Sequence, residues 1–314
     1  MRSNGRSEAF VAERGSPLDV VKISPRGYCY GVVDAMKLVR QVAENPQAKK
    51  PIFVLGLIVH NRHVVEELDR YGVISLDGEN RLQLLEQVDE GTVVFTAHGV
   101  SQTVRARAQE KGLDVVDATC PDVTKTHDLI RRLADDGYTI LYIGRKGHPE
   151  PEGAMGEAPD HVQLIETAAD VDGLDLAGRK LAVVTQTTLS RWDTEETIHR
   201  LKERYPQIEV FNEICLATQL RQDAAVREAA NCDVVIVVGD VRSNNSNRLV
   251  QVVKEQAGRP AYLVDTVADI NPKWLEGKHT VGVTAGSSTP SPITREVVQF
   301  LEAYEGAESA ASRA

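Results

Sequence analysis

The chain contains 314 residues, of which 42% are hydrophobic and 26% are charged, and it carries a formal net charge of −10 with a pI near 5.4. This acidic balance argues against nucleic acid or an anionic membrane as the main partner, because phosphate groups are bound through clustered Lys and Arg. The apolar runs are far shorter than the roughly 20 residues of a membrane span, and residues 1–16 lack the apolar stretch of a secretory signal. Four unclustered cysteines suggest a reducing compartment. We therefore expect a cytoplasmic protein.

Short apolar runs alternate with amphipathic helical patterns along the chain. In order, we predict strands at 20–24, 52–57, 92–97, 138–143, 181–186, 233–239, 261–264 and 280–285. Patterns that predict helices follow most of these runs, for example at 124–135, 223–231 and 291–304. Strands made almost entirely of Val, Ile and Leu, alternating with helices, are typical of parallel sheets covered on both faces. We therefore predict an α/β fold, with tails at 1–16 and 305–314.

Polar turns after the strands repeat three times. Three cysteines and three threonines each recur at intervals of roughly 90 residues, namely Cys29, Cys120 and Cys215, and Thr96, Thr185 and Thr284. The repeat predicts three α/β domains with pseudo-threefold symmetry, at 17–116, 117–211 and 212–304. Because ligands of open α/β sheets bind beyond the carboxyl ends of the strands, three domains facing inward would gather these turns around one cavity.

The three repeated cysteines, Cys29, Cys120 and Cys215, are candidate metal ligands. A lone cysteine in a turn is usually a small core residue, but three at matching positions favour a shared metal centre. Thiolates bind zinc, copper(I) or iron-sulfur clusters, and three ligands leave one coordination position open to a substrate oxygen. Cys232 opens a strand and has no counterpart in the other repeats, so we interpret it as structural.

The remaining repeated turns carry neutral hydrogen-bond donors, each just before a predicted helix. An imidazole supplies N–H donors to phosphate oxygens, and the unpaired N–H groups of a helix N-terminus favour an anion. These turns therefore predict a diphosphate site, although several of their residues also suit helix N-caps. The candidate residues are His60, His98, His148, Ser243, Asn244, Asn245, Ser287 and Ser288.

Glu150 lies between two prolines that stiffen its turn. A carboxyl group held beside a metal centre could pass protons to a leaving hydroxyl, whereas a Glu beside Pro is more often an exposed loop residue. Glu152 is the less favoured candidate for the same role. The glycine-rich motifs of dinucleotide and nucleoside triphosphate sites and the serine-hydrolase motif are absent from the sequence, so those chemistries are not indicated.

Taken together, the turns resemble one known family. The matching segments run in that family's order from about residue 20 to residue 292. They read PRGYCYGV from Pro25, VHNR from Val59, AHGVS from Ala97, DATCP from Asp117, GHPE from Gly147, TQTTLS from Thr185, SNNSNRL from Ser243 and VTAGSS from Val283. The sequence is therefore similar to 4-hydroxy-3-methylbut-2-enyl diphosphate reductases of the LytB type.

This resemblance implies a cofactor and roles for individual residues. It implies a [4Fe-4S] cluster held by Cys29, Cys120 and Cys215, with one open iron and a form that can be isolated as [3Fe-4S], inside a trefoil of three domains. It implies proton delivery by Glu150 with Thr187 and His148. The diphosphate would be bound by His60, His98, His148, Thr187, Ser243, Asn244, Asn245 and Ser288.

The implied reaction removes the C4 hydroxyl of the substrate and yields isopentenyl and dimethylallyl diphosphates, the last step of the methylerythritol phosphate route. Ferredoxin or flavodoxin would supply the electrons, and a basic patch near Arg105, Arg107 and Lys111 is the candidate binding site for such a donor. Gln219 and Leu220 depart from the family pattern, which has Thr and Asn there, and this departure puts hydrogen bonds to the neighbouring cysteine in doubt.

Two other hypotheses remain open from the residues alone. One is a zinc-dependent hydrolase of a phosphorylated substrate with three cysteine ligands. The other is a non-catalytic, diphosphate-binding redox sensor. Metal content separates the first from a reductase, and consumption of the ligand under reducing conditions separates the second.

Overall fold

The computed structural model describes residues 17–304, so the predicted tails at 1–16 and 305–314 lie outside the described residues. Within 17–304 there are twelve strands and ten α-helices. The strands are β1 (Asp19–Lys22), β2 (Ile52–Leu55), β3 (Val73–Leu76), β4 (Thr92–Phe95), β5 (Asp114–Asp117), β6 (Thr139–Ile143), β7 (Val162–Ile165), β8 (Leu181–Thr185), β9 (Glu209–Phe211), β10 (Val234–Val238), β11 (Ala261–Val264) and β12 (Thr280–Ala285).

The helices lie mainly between successive strands, as crossover connections in parallel sheets require. None of the helices in residues 17–304 is both long and apolar enough to cross a membrane. They are α1 (Tyr30–Glu44), α2 (Arg62–Arg70), α3 (Arg81–Leu85), α4 (Gln102–Glu110), α5 (Pro121–Asp135), α6 (Pro149–Met155), α7 (Arg191–Arg204), α8 (Leu216–Ala229), α9 (Asn244–Gln256) and α10 (Ser291–Glu302).

The strands form three four-stranded sheets with one shared topology. Their orders are β3-β2-β4-β5, β7-β6-β8-β9 and β11-β10-β12-β1, and the strand pairs are parallel throughout. In each sheet the fourth position is taken by the strand that precedes a repeated cysteine. The predicted α/β fold with three parallel sheets is therefore confirmed.

The first strand does not belong to the first sheet. β1 pairs with β12 in parallel, with Asp19 opposite Thr280 and Lys22 opposite Val283. The predicted first domain, which began at residue 17, is therefore corrected, because β1 completes the sheet formed by the last part of the chain. β1 occupies the edge position that β5 and β9 occupy in the other two sheets. In the third sheet this edge strand therefore comes from the start of the chain, whereas in the other two sheets it follows the other three strands in sequence.

The eight predicted strands coincide with β1 and the apolar strands of the three sheets. The central strand β10 is buried at every residue, whereas β5 and β9 are half-buried or exposed. The strands that were not predicted, β3, β5, β7 and β9, all occupy sheet edges. Because edge strands are partly exposed, their sequences include polar residues and lack the continuous apolar run on which the prediction depended. Helix α8 also begins earlier than predicted, because its first turns bury Thr218, Arg221 and Gln222 rather than apolar residues.

Candidate active site

Each of the three repeated cysteines stands directly before a helix. Cys29, Cys120 and Cys215 are the N-cap residues of α1, α5 and α8, and none of their side chains is used for capping. All three are half-buried free thiols. Their backbone N–H groups donate to a carbonyl of a neighbouring turn, namely those of Ser287 at 3.1 Å, Ala97 at 3.0 Å and Thr187 at 2.9 Å. Corresponding backbone hydrogen bonds thus hold the three cysteine turns in the same way.

The predicted site residues line one central cavity between the three sheets. The structure brings together the candidate metal, substrate and catalytic residues that the sequence indicated, with the exception of Glu152, and their roles remain predictions. These residues are Cys29, Cys120, Cys215, His60, His98, His148, Glu150, Thr187, Ser243, Asn244, Asn245 and Ser288. Glu152 is not among the lining residues. One of its carboxylate oxygens accepts a hydrogen bond from the backbone N–H of Arg81 at 2.9 Å.

The spacing of the sulfur atoms bears on the kind of metal centre that fits. Among residues 17–304, the three histidines are the one trio of potential ligands whose donor atoms all lie within 4.8 Å of one another. The three cysteines do not form such a trio among these residues. A tetrahedral zinc ion with Zn–S bonds of about 2.3 Å would hold its thiolates roughly 3.8 Å apart. The arrangement of the cysteines therefore does not indicate a single bound zinc ion.

Two neighbours make the cysteine end of the cavity suitable for a thiolate-bound cluster. A Cβ atom at Gly31 would lie 2.5 Å from the sulfur of Cys120, so only glycine leaves that sulfur its space. Arg221 is 4% exposed and forms no carboxylate ion pair within residues 17–304. Its guanidinium donates to the Gly27 carbonyl at 2.7 Å, and its Nε atom is buried without a partner. A buried cation of this kind offsets the negative charge of thiolate ligands.

Burial keeps the thiols of Cys120 and Cys215 neutral. It raises the pKa of Cys120 to about 12 and also raises the pKa of Cys215 above its ordinary value. Because thiolates are the metal-binding form, a bound metal centre must displace these protons. Metal binding to this site is therefore expected to weaken as the pH falls.

The departure from the family pattern leaves one hydrogen bond to Cys215 in place. The Thr218 hydroxyl lies 3.1 Å from the Cys215 sulfur. Gln219 donates its side-chain amide to the Ile214 carbonyl, just before the cysteine, and Leu220 is half-exposed. The two substituted positions therefore support the turn backbone or face solvent, and the direct contact to sulfur comes from Thr218.

At the other end of the cavity the three histidines form a compact cluster. Ring centroids are 4.7 Å apart for His60 and His98, 5.3 Å for His60 and His148, and 5.2 Å for His98 and His148. Burial, followed by nearby cations including Arg81, lowers the pKa of His60 to about 4. It lowers the pKa of His148 to about 3 and places the pKa of His98 well below its ordinary value. All three rings are therefore neutral at pH 7.

Hydrogen bonds orient the donor groups of this end toward the cavity. The backbone N–H of Glu150 donates to Nδ1 of His148 at 3.2 Å, so the ring proton of His148 resides on Nε2. Asn245 accepts from the Ser287 backbone N–H at 3.1 Å through its side-chain oxygen, and its Nδ2 atom is buried without a partner. Nε2 of His60 is also buried without a partner. Buried donors that lack partners are the groups an anion would satisfy.

Glu150 is a buried carboxyl group that lines the same cavity. It is 1% exposed, and its Oε1 atom accepts a hydrogen bond from the Thr187 backbone N–H at 2.6 Å. Burial raises the pKa of Glu150 from 4.5 to about 7, and the Thr187 N–H opposes part of that rise. A carboxyl group with such a pKa can hold a proton at neutral pH and release it.

The candidate basic patch of Arg105, Arg107 and Lys111 is paired with acids in the structure. Arg105 pairs with Asp117, and both Arg107 and Lys111 contact Glu86. These cations are neutralised by nearby acids and do not form a free positive surface. Sequence analysis also missed Arg221 and Arg81, because an isolated arginine carries no signal until its burial is known.

Comparison with known proteins is consistent with the site. A family model described as LytB protein matches residues 20–302. The chain belongs to the LytB family. It is 63% identical over 288 residues to a relative from Symbiobacterium thermophilum named 4-hydroxy-3-methylbut-2-enyl diphosphate reductase, over 91% of this chain and 98% of that protein. It is 59% identical over 288 residues to a protein of the same name from Halalkalibacterium halodurans, over 92% of each chain.

Solved structures show the same LytB fold. A reductase from Plasmodium falciparum, described as E-1-hydroxy-2-methyl-but-2-enyl-4-diphosphate reductase, matches with a TM-score of 0.85 and 34% identity, over 91% of this chain and 88% of that one. A second structure, of (E)-4-hydroxy-3-methyl-but-2-enyl diphosphate reductase, matches with a TM-score of 0.66 and 32% identity, over 91% of this chain and all of that one. The predicted family is therefore confirmed.

Proposed function

We propose that this LytB-family protein reduces (E)-4-hydroxy-3-methylbut-2-enyl diphosphate to isopentenyl and dimethylallyl diphosphates, the last step of the methylerythritol phosphate route. The observation that carries the proposal is a single cavity lined by three free cysteines, three neutral histidines and a buried carboxyl group. The names of relatives that match over most of their length support the same substrate and reaction.

Cys29, Cys120 and Cys215 would hold a [4Fe-4S] cluster, which when bound supplies electrons and one open coordination position. The crowding of Gly31 against Cys120 and the buried Arg221 beside the triad support this assignment. Ferredoxin or flavodoxin would deliver the electrons one at a time. Removal of the hydroxyl group as water consumes two electrons and two protons overall.

The histidine end would hold the diphosphate. Neutral imidazole N–H groups, the Asn245 amide and the hydroxyls of Ser243 and Ser288 are donors that suit phosphate oxygens. The Ser288 hydroxyl lies 3.4 Å from the Ser243 hydroxyl, so both can be aimed at one anion. Holding the charged end of the substrate there would direct its hydroxyl toward Glu150 and the cysteines.

Glu150 would deliver a proton to the leaving hydroxyl. Because Oε1 accepts the Thr187 N–H, the acidic proton would be carried by Oε2. Hydroxide is a poor leaving group, so protonation accounts for a large part of the rate. Thr187 would position this carboxyl group through its backbone N–H, and His148 would hold the Glu150 backbone, whose N–H it accepts.

The test is anaerobic purification followed by iron and sulfide analysis and by turnover with reduced methyl viologen. We expect brown protein with roughly four irons per chain and formation of both products. Zinc without iron and sulfide would instead support the hydrolase hypothesis. Binding of the diphosphate without consumption under reduction would support a redox sensor and refute the proposed activity.

Glu150→Gln tests the proton-delivery role separately. The substitution keeps an oxygen acceptor for the Thr187 N–H but removes the acidic proton. We expect turnover to fall by about two to four orders of magnitude, while affinity for the substrate changes little. Turnover within a few fold of the original enzyme would exclude Glu150 as the acid.

A further inference from the structure

A second cavity opens beside the histidine cluster and is rich in cations. It has a volume of about 570 Å³ and shares His60, His148 and Asn244 with the central cavity. We call it the basic vestibule. It is further lined by four cationic side chains, Arg81, Arg145, Lys146 and Arg242, and by two acidic ones, Asp77 and Glu79.

Two exposed cations among them, Arg145 and Lys146, have no ion-pair partner within residues 17–304. Arg242 is paired with Asp77 and also contacts Asp240. The Arg145 guanidinium donates to the Asn244 side-chain oxygen at 3.2 Å, which places its charge where the two cavities meet.

Arg81 is the buried cation among the residues that line the vestibule. It is 4% exposed, its Nη1 atom donates to the Gly78 carbonyl at 2.7 Å, and its Nε atom is buried without a partner. It forms no ion pair with a carboxylate within the described part of the chain. Glycine is required at position 56, because a Cβ atom there would lie 2.7 Å from the guanidinium carbon. Burial lowers the pKa of Arg81, and the nearby carboxylates of Glu152 and Asp77 raise it without forming an ion pair, so its charge is only partly compensated.

The vestibule cations supply the positive charge that the neutral histidines lack. The three imidazoles are neutral at pH 7, so they supply hydrogen-bond donors without positive charge. The chain as a whole carries a formal charge of −10 and repels a diphosphate at long range. A local positive field is therefore needed between solvent and the histidines, and the vestibule has the cations to provide it.

We propose that the basic vestibule is a capture site for the diphosphate group, in which Arg145 and Lys146 attract the anion from solvent and Arg81 holds a positive charge beside the histidines that receive it. This inference rests on the proposed function and adds a route by which the substrate arrives. The four cations of the vestibule outnumber its two acidic residues, and a cleft with such an excess of one charge raises association rates by about tenfold or more at low salt.

The first experiment neutralises the two free cations in the holoenzyme. The double variant Arg145→Gln, Lys146→Gln is compared with the control Arg179→Gln, Lys202→Gln, which removes the same charge from exposed residues outside the vestibule. Turnover of the diphosphate substrate is measured with reduced methyl viologen at about 0.01 M and about 1 M salt, where the Debye length is roughly 30 Å and 3 Å.

We expect kcat/KM of the vestibule variant to fall about tenfold at low salt, through KM, with kcat within about twofold of the original enzyme. The loss should shrink to less than about twofold at high salt, because screening removes the long-range attraction. The control should match the original enzyme at both salt concentrations. Equal behaviour of the two double variants, or a loss that persists at high salt, would overturn the capture role.

The second experiment tests Arg81 with inorganic diphosphate as the probe and calorimetry as the readout. Arg81→Gln should weaken binding about tenfold or more, and Arg81→Lys, which retains the charge, should recover part of the affinity. Thermal unfolding of both variants identifies any loss of fold. Equal affinity of folded Arg81→Gln and the original protein would refute the role of Arg81. If the original protein neither binds diphosphate nor turns over the substrate, the proposed function fails as well.

Discussion

The buried carboxyl of Glu150 is expected to make the stability of the chain depend on pH, and Glu150→Gln removes that dependence. Burial raises the pKa of Glu150 from 4.5 to about 7 in the folded chain. The difference, at about 1.4 kcal/mol for each pH unit, corresponds to about 3 kcal/mol. The side chain is 1% exposed, so solvent screening takes little from this value.

The sign of the effect follows from where the proton is held more tightly. The folded state binds the Glu150 proton more tightly than the unfolded state does, so protonation favours folding. The contribution is fully present below pH 4.5 and is lost as the pH rises through about 7. The free energy of unfolding of the original protein should therefore fall relative to that of the variant over this window.

The assay is equilibrium urea unfolding followed by circular dichroism between about pH 5 and about pH 8. The measured quantity is the difference in unfolding free energy between the original protein and Glu150→Gln, because groups common to both cancel. We expect this difference to change by about 3 kcal/mol. Glu195→Gln, at an exposed position on α7, is the control and should show a flat difference.

A flat difference for Glu150→Gln would refute the argument, since it would mean that the carboxyl group titrates alike in both states. A change of opposite sign would show that the hydrogen bond from the Thr187 N–H outweighs burial and stabilises the ionised form. Either result would also weaken the proton-delivery role, which needs a carboxyl group that is protonated near neutral pH.

Three further predictions concern the metal end and the backbone. Gly31→Ala places a Cβ atom 2.5 Å from the Cys120 sulfur, so we expect lower iron content after anaerobic purification. The control Gly173→Ala, which has open space around it, should retain the iron of the original protein. Cys120→Ser should abolish turnover and reduce bound iron. The control Cys232→Ser, at a residue that does not line the cavity, should retain both. Equal iron content in the two variants would remove Cys120 from the ligand set. Gly91→Ala imposes a side chain at φ +99° and 2.2 Å from a backbone oxygen, so thermal unfolding should show a loss of at least about 2 kcal/mol; an unchanged melting temperature would contradict the strain.

Much of the architecture and the site could be predicted because it depends on local patterns. The Val and Ile run of β10 is buried on both faces, so its apolar character is continuous. The repeated turns of Cys29, Cys120 and Cys215 were visible because each joins a strand end to a helix start. Such turns keep their spacing in the sequence, and the carboxyl ends of parallel strands then bring them together.

The features that escaped prediction depend on contacts between distant segments. β5 and β9 lie at sheet edges and are half-buried, so their residues carry no clear alternation. Arg221 donates to the Gly27 carbonyl, 194 residues away in the sequence. Its importance as a buried cation exists only when α8 packs against the first cysteine turn.

The amino-acid sequence thus determined the class of fold, the threefold repeat and the residues that meet in the cavity, because periodicity and turn chemistry are local properties. Only the tertiary structure decided that β1 completes the last sheet beside β12, that Glu150 is buried enough to hold a proton near pH 7, and that Arg81 faces the histidines. Edge pairing, desolvation and the field of a distant charge all depend on how far apart residues lie in space, and spacing along the chain does not specify that distance.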